Sequence, residues 1–278
     1  MNSSRIFAII ILFSLVFFAV SPSLLATSPM EQPIFSEGDF WTYEFGLLNQ
    51  NGNKTIVGQE RIEVGGTESI ALANGQQVSA RILTATRQGT KNMGQDDESI
   101  QTITTVYYYD ESSLGIIQQV SEGSEFTGKL IGVFDPPYWT FEWPLSVGNE
   151  WRVNSNNTWS IYTGEHYSQP VNSSGICRNE TEISTPAGRF SCFEVQWWPI
   201  RQNRDAYDLI YISPEVGFQP VRKETHNEES TPSSINYMEL KDFHYGDYGT
   251  TTANGSPGFE AILVVGLLIV FALWRRMK

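Results

Sequence analysis

Only two cysteines, three histidines and 18 lysines and arginines occur among the 278 residues of this chain. Against 31 acidic residues the basic ones leave a net charge of −13, and between residues 27 and 256 the balance is 14 against 30, or −16. A surface of that sign repels phosphate backbones, and no basic stripe offsets it, so nucleic acid is not expected as a partner. His166, His226 and His244 lie far apart in sequence, and no HExxH, GxSxG, Walker loop, GxGxxG or CxxC pattern occurs. The expectation is a non-enzyme with no catalytic, cofactor-binding or metal-ligating residues. Two cysteines alone make a poor metal site. The acidic stretch GQDDES (94–99) lacks the spacing of a calcium loop and reads as solvated. Missing too, between residues 30 and 250, is any long stretch with clear apolar 3.6-residue periodicity, so helices are not expected there.

What is present is aromatic and β-prone. Aromatic residues make up 13% of the chain, and Gly, Asn, Ser and Thr are abundant. The segments TITTVYYY (102–109), FSCFEVQWW (190–198), DLIYI (208–212) and SINYMELKDF (234–243) suit pleated surfaces. One pattern occurs twice. EGDFWTYEF (37–45) matches VGNEWRVN (147–154), ANGQQVSARI (73–82) matches PAGRFSCFEV (186–195), and YYYDESSLGII (107–117) matches LIYISPEVGFQ (209–219). The fold expected is all-β and mainly antiparallel. It would have two repeat-like halves, residues 27–134 and 147–245, each a curved sheet or open half-barrel, joined by an aromatic, Pro-rich junction at 135–146. Each apolar sheet face must be covered, by the other half or by curling. The order of turn glycine, strand, acidic turn, glycine and strand resembles secreted β domains of the LolA/LolB-like class. That resemblance implies a strongly curved antiparallel sheet around an apolar groove.

The two ends read as targeting segments. Arg5 precedes a continuous apolar run from Ile6 to Val20, broken by Ser21-Pro22. This is the layout of a signal peptide over residues 1–26, with an uncleaved anchor helix as the other reading. At the far end Ala261–Trp274 is uncharged. As a helix it spans about 21 Å, short of the ~30 Å hydrocarbon core. Pro257-Gly258-Phe259-Glu260, an apolar helix and the basic Arg275-Arg276 together resemble the archaeal PGF-CTERM sorting signal (257–278). The resemblance implies an archaeosortase as processing partner, removal of the tail and attachment to a lipid. An ordinary C-terminal anchor helix gives the same outward-facing topology. Residues 246–256 read as a Thr/Gly/Ser stalk.

Export would favour a disulfide between Cys177 and Cys192. A symmetric hairpin centred on Thr185-Pro186-Ala187-Gly188 would, however, pair Cys192 with Thr181, so the bridge needs a bulge, a diagonal or a neighbouring strand. Export would also make five sequons usable, at Asn53, Asn156, Asn172, Asn179 and Asn254. Asn172 and Asn179 flank Cys177, which points to a surface loop there. In the junction, Trp139, Phe141 and Trp143 alternate, and a strand would put them on one face. Buried, they stitch the halves together, the favoured reading; exposed, they grip a sugar or an apolar ligand. Trp197-Trp198 cannot both face inward on a regular strand. The function expected is an exported, anchored envelope protein with a structural or binding role. The alternatives are a carrier of a lipid or other apolar ligand in the groove of a curved sheet, or a surface hydrolase with loop-borne carboxylates.

Overall fold

The computed structural model describes residues 28–48, 54–72, 75–91, 99–124, 128–161, 164–199, 206–227, 235–246 and 248–249. Both hydrophobic ends, and with them the expected terminal helices, lie outside these residues. The described residues form strands and no helix. In chain order the strands are β1 (Phe40–Leu48), β2 (Lys54–Ala71), β3 (Gln77–Lys91), β4 (Ser99–Asp110), β5 (Ile116–Gly123), β6 (Leu130–Tyr138), β7 (Glu150–Ile161), β8 (His166–Thr185), β9 (Gly188–Trp198), β10 (Ala206–Ile212), β11 (Arg222–Asn227), β12 (Ile235–Tyr245) and the two-residue β13 (Tyr248–Gly249).

Each strand pairs antiparallel with the next, and β12 returns to pair with β1 along Phe40–Leu48. The result is a closed twelve-stranded up-and-down barrel. This corrects the expectation of two open half-barrels and of an open groove. A six-stranded half has two edges of unpaired backbone, and an exposed edge is a liability. The β6–β7 and β12–β1 ladders zip both edges together, so neither half closes on itself.

Alternation along the strands decides what fills the barrel. On β7, Trp151, Val153, Ser155 and Asn157 are buried, while Glu150, Arg152, Asn154 and Asn156 between them are exposed. The outward residues there are polar, so this wall faces water rather than the apolar band of a lipid-facing barrel.

The repeated sequence pattern lands on equivalent places. Gly38 and Gly148 precede β1 and β7 with φ of 95° and 91°, a region that favours glycine. Their N–H groups donate to Val64 O (3.0 Å) and Cys177 O (2.8 Å). The next residues, Asp39 and Asn149, donate to Ser36 O and Ser146 O, both at 3.1 Å. Trp41 and Trp151 then point into the core. The turns after β4 and β10 share a bond four residues back, Leu114 N to Asp110 O (2.8 Å) and Gly217 N to Ser213 O (3.0 Å), but one position out of step with the sequence match of Gly115 to Gly217.

The core sits toward one end of the barrel. It combines Trp41, Tyr43, Val64, Leu83, Trp151, Val153, Cys177, Val195 and Ile212 from the strands with Met30, Phe35, Phe141, Leu145, Val216 and Phe218 from three irregular segments. These segments plug that end. Met30 and Leu145 exchange two backbone hydrogen bonds of 2.8 Å, and Trp41 Nε1 donates to Val216 O at 2.9 Å. Asp39, buried, accepts from Ser36 N (2.8 Å) and Gly246 N (3.0 Å) and so ties the start of β1 to the end of β12.

Candidate functional site

A twelve-stranded barrel is wider than the eight strands whose interior side chains can just fill. Part of the width is taken up by rings: Trp151 and Trp197 stack at 6.4 Å and Phe134 and Tyr138 at 5.4 Å, on the β6–β9 side. The remaining width is a cavity of about 710 Å³, bounded by β1–β5, β10–β12 and the segments at Thr140–Phe141 and Phe218–Pro220.

The lining changes character along each strand. It runs from Ile62 to Glu60 on β2, from Leu83 to Arg87 on β3, from Tyr109 to Tyr107 on β4 and from Ile116 to Gln119 on β5. Phe141 and Phe218 of the plug join the apolar end as a floor, and Phe45, Lys223, Thr225, Asn236 and Met238 line the rest. Registers such as Tyr43↔Glu60, Glu60↔Arg87 and Lys223↔Met238 bring the charged residues round one wall.

The charged groups are unevenly satisfied. Asp208, buried on β10, accepts from Thr225 Oγ1 at 2.7 Å and pairs with Lys223 Nζ at 2.9 Å. Glu60, by contrast, meets Arg87 only at 4.0 Å, beyond hydrogen-bonding range. Burial pushes the Glu60 carboxyl above its usual pKa, although Arg87 and Lys223 pull the other way. Burial, and next the Glu60 charge, push Tyr107 up to about 12. Tyr43, the cross-strand partner of Glu60, is raised by the same two causes, and its buried hydroxyl has no hydrogen-bond partner among the described residues.

Phe45 and two glycines position Arg87. The Phe45 ring lies so close to β2 and β3 that a Cβ on Gly58 or Gly89 would come within 2.6 or 2.8 Å of it. The Arg87 guanidinium sits 3.8 Å from the centre of that ring. A planar cation on a ring face gains cation–π attraction and leaves its N–H edge available.

The residues singled out from sequence fall elsewhere or only partly here. Residues 139–144 are irregular, not a strand, so Trp139, Phe141 and Trp143 do not share a face by alternation. Phe141 is buried in the plug against Phe218 (5.9 Å) and Trp143 (5.7 Å) and also lines the cavity floor; Trp139 and Trp143 are half-buried against the core. Trp197 faces inward and Trp198 lines an outer groove beside Asn154 and Asn172.

Cys177 and Cys192 are buried free thiols, not a disulfide. The hairpin register is Thr181↔Cys192 and Cys177↔Val195. A bulge does fall after Cys177, but three ladder positions, or about 10 Å at ~3.3 Å per residue, still separate the two. A disulfide needs Cα atoms within about 7 Å. Burial pushes the thiols up to about 11 and about 12, respectively.

Asn156, Asn172 and Asn179 are exposed, but on β7 and β8 rather than on a surface loop. Asn53, Asn254, the Pro257–Glu260 signal and most of the 94–99 acidic stretch lie outside the described residues. The histidines remain apart: His166 Nδ1 is 2.8 Å from Ser160 Oγ, His226 stacks on Tyr207 at 4.7 Å, and His244 packs near Phe40.

Sequence reasoning missed Glu60, Arg87 and Lys223. The signal for them is phase. Glu60 keeps the inward phase of Ile62 and Val64, and Arg87 that of Leu83 and Ala85. A charge in apolar phase on a strand marks a lumen-facing polar group.

No family model and no curated protein matches the sequence. Among solved structures, the chain is similar to a candidate lipoprotein of Parabacteroides distasonis (13% identity, 78% of this chain and 100% of the other, TM-score 0.34). It is also similar to a candidate exported protein of Bacteroides fragilis with a YmcC-like fold (11% identity, 78% of this chain and 100% of the other, TM-score 0.36).

Proposed function

We propose that this chain is an exported, envelope-anchored barrel whose role is to bind an amphiphile in its lumen, acting as a carrier or receptor rather than as an enzyme. One observation carries this reading: the cavity of about 710 Å³ inside the barrel, apolar at its floor and polar along one wall. Its size falls within the roughly 300–1,000 Å³ of small-molecule sites. The plug closes one end, so a ligand would come and go past Phe45, Arg87 and Thr225. The signal-like N-terminus and the PGF-CTERM-like tail support placement on the outer face of the membrane, with an archaeosortase as processing partner. Exposed Asn156, Asn172 and Asn179 are the sequons open to glycans on the barrel wall.

The test is a titration of the purified full chain with the apolar fluorophore N-phenyl-naphthylamine. Fluorescence should rise saturably, and Met238→Trp, which places an indole in the lumen, should abolish the rise without lowering the melting temperature. Equal binding by the Met238→Trp protein, or none by the unaltered one, would overturn the lumen as the binding site.

A further inference from the structure

We propose that Glu60, Arg87 and Lys223 form a head-group subsite in the lumen and that it takes one carboxylate at the end of an apolar chain, with Glu60 taking up a proton as the ligand binds. This rests on the lumen-binding reading and names its ligand class.

The argument starts from which charges are already satisfied. Lys223 and Asp208 pair at 2.9 Å, and Thr225 completes Asp208 at 2.7 Å. Glu60 and Arg87 are left, 4.0 Å apart. Glu60 thus reaches Arg87 without a hydrogen bond, and its neighbour Tyr43 keeps a buried hydroxyl without a partner among the described residues. On the cavity wall, Glu60 and Arg87 therefore hold unspent hydrogen-bonding capacity above an apolar floor. Arg87, face down on Phe45, offers a fork of N–H donors matched to a planar carboxylate.

The ligand's charge follows from the surroundings of Glu60. Tyr43 faces it from β1, Arg87 from β3, Tyr107 from β4 and Lys223 from β11, with Asp208 of β10 behind Lys223; β12 contributes uncharged Met238. An ammonium ligand would meet the Arg87 cation, which no ion pair within hydrogen-bonding range neutralises. An alcohol offers the Arg87 fork one neutral acceptor oxygen where a carboxylate offers two charged ones. A carboxylate pairs with Arg87 and accepts a hydrogen bond from protonated Glu60, the two acids sharing one proton drawn from water, with no covalent bond between heavy atoms changed. Burial already disfavours the charge on Glu60, and a second anion beside it disfavours it further. Burial keeps both tyrosines neutral, which leaves Glu60 as the group to take up the proton. Affinity is therefore greatest below the raised pKa of Glu60 and falls as pH rises above it.

Calorimetric titration of the full chain with decanoate, decanol and decylamine, in two buffers of different ionisation enthalpy, tests this. Decanoate should bind about tenfold or more tightly than the other two, the scale of one hydrogen bond to a charged group. Its binding should take up protons and weaken as pH rises above the ordinary carboxylate range, because burial raises the Glu60 carboxyl. Arg87→Gln should lose that preference. Isosteric Glu60→Gln should still bind decanoate, with no proton uptake and a flat pH profile, and circular-dichroism melts should show both variants folded. Decanol or decylamine binding as tightly as decanoate would overturn the head-group assignment alone, as would decanoate binding without proton uptake. Failure of all three to bind would overturn the lumen reading itself.

Discussion

Cys177 and Cys192 show how much one position along a strand decides. Their side chains share one core, yet the ladder sets them apart by three residues, and each is a thiol whose ionisation burial suppresses. The thiolate is the reactive form, so neither should react with iodoacetamide in the folded protein at neutral pH. Both should react fully once the chain is unfolded without reductant. Recovery of a peptide linking the two, from protein unfolded under non-reducing conditions, would contradict the structure. The sequence carried half of this result: hairpin symmetry about Pro186-Ala187 pairs Cys192 with Thr181, the register observed. Export chemistry argued for a bond, and geometry forbids it.

At the scale of elements, the junction between the halves is the informative piece. Alternation of Trp139, Phe141 and Trp143 reads as a strand, but β6 ends at Tyr138 and the chain turns inward to cap the barrel. Period-2 spacing says which residues could share a face only if the backbone is extended, and nothing local fixes that between two prolines. The burial expected of the segment is concentrated in one ring. Phe141→Ala should destabilise by about 3–5 kcal/mol, the range for a buried aromatic truncated to alanine. Trp143→Ala, at a half-buried position, should cost less. Denaturant titrations of the two variants check the order, and a larger loss at Trp143 would show that the plug is anchored elsewhere. Because Phe141 also floors the cavity, its truncation deepens the lumen.

For the whole molecule, the closing ladders matter most. From sequence, the two halves marked by the match of 37–45 to 147–154 are expected to couple through the aromatic junction at 135–146. The β6–β7 and β12–β1 ladders couple them through the backbone, since opening either leaves two strand edges unpaired across the barrel. One thermal transition is expected, with coincident tryptophan-fluorescence and far-UV circular-dichroism melts and a calorimetric enthalpy equal to the van't Hoff value. Two separated transitions would mean that the halves are domains after all.

Local chemistry in the chain determined the strands, their turns and the inward phase of most core residues. Alternating side chains and left-handed glycines such as Gly38 and Gly148 act over a few residues and need no partner to be read. The same locality made the repeat visible. Tertiary structure decided closure, the plug and the lumen, because each depends on pairings between residues far apart in sequence. Tyr43 meets both Glu60 and Leu240, and Lys223 of β11 faces the cavity that Arg87 of β3 lines. A charge in apolar phase can be seen in the sequence. Whether another charge waits across the barrel to satisfy it depends on how many strands close the ring and in what register, and only the assembled fold contains that.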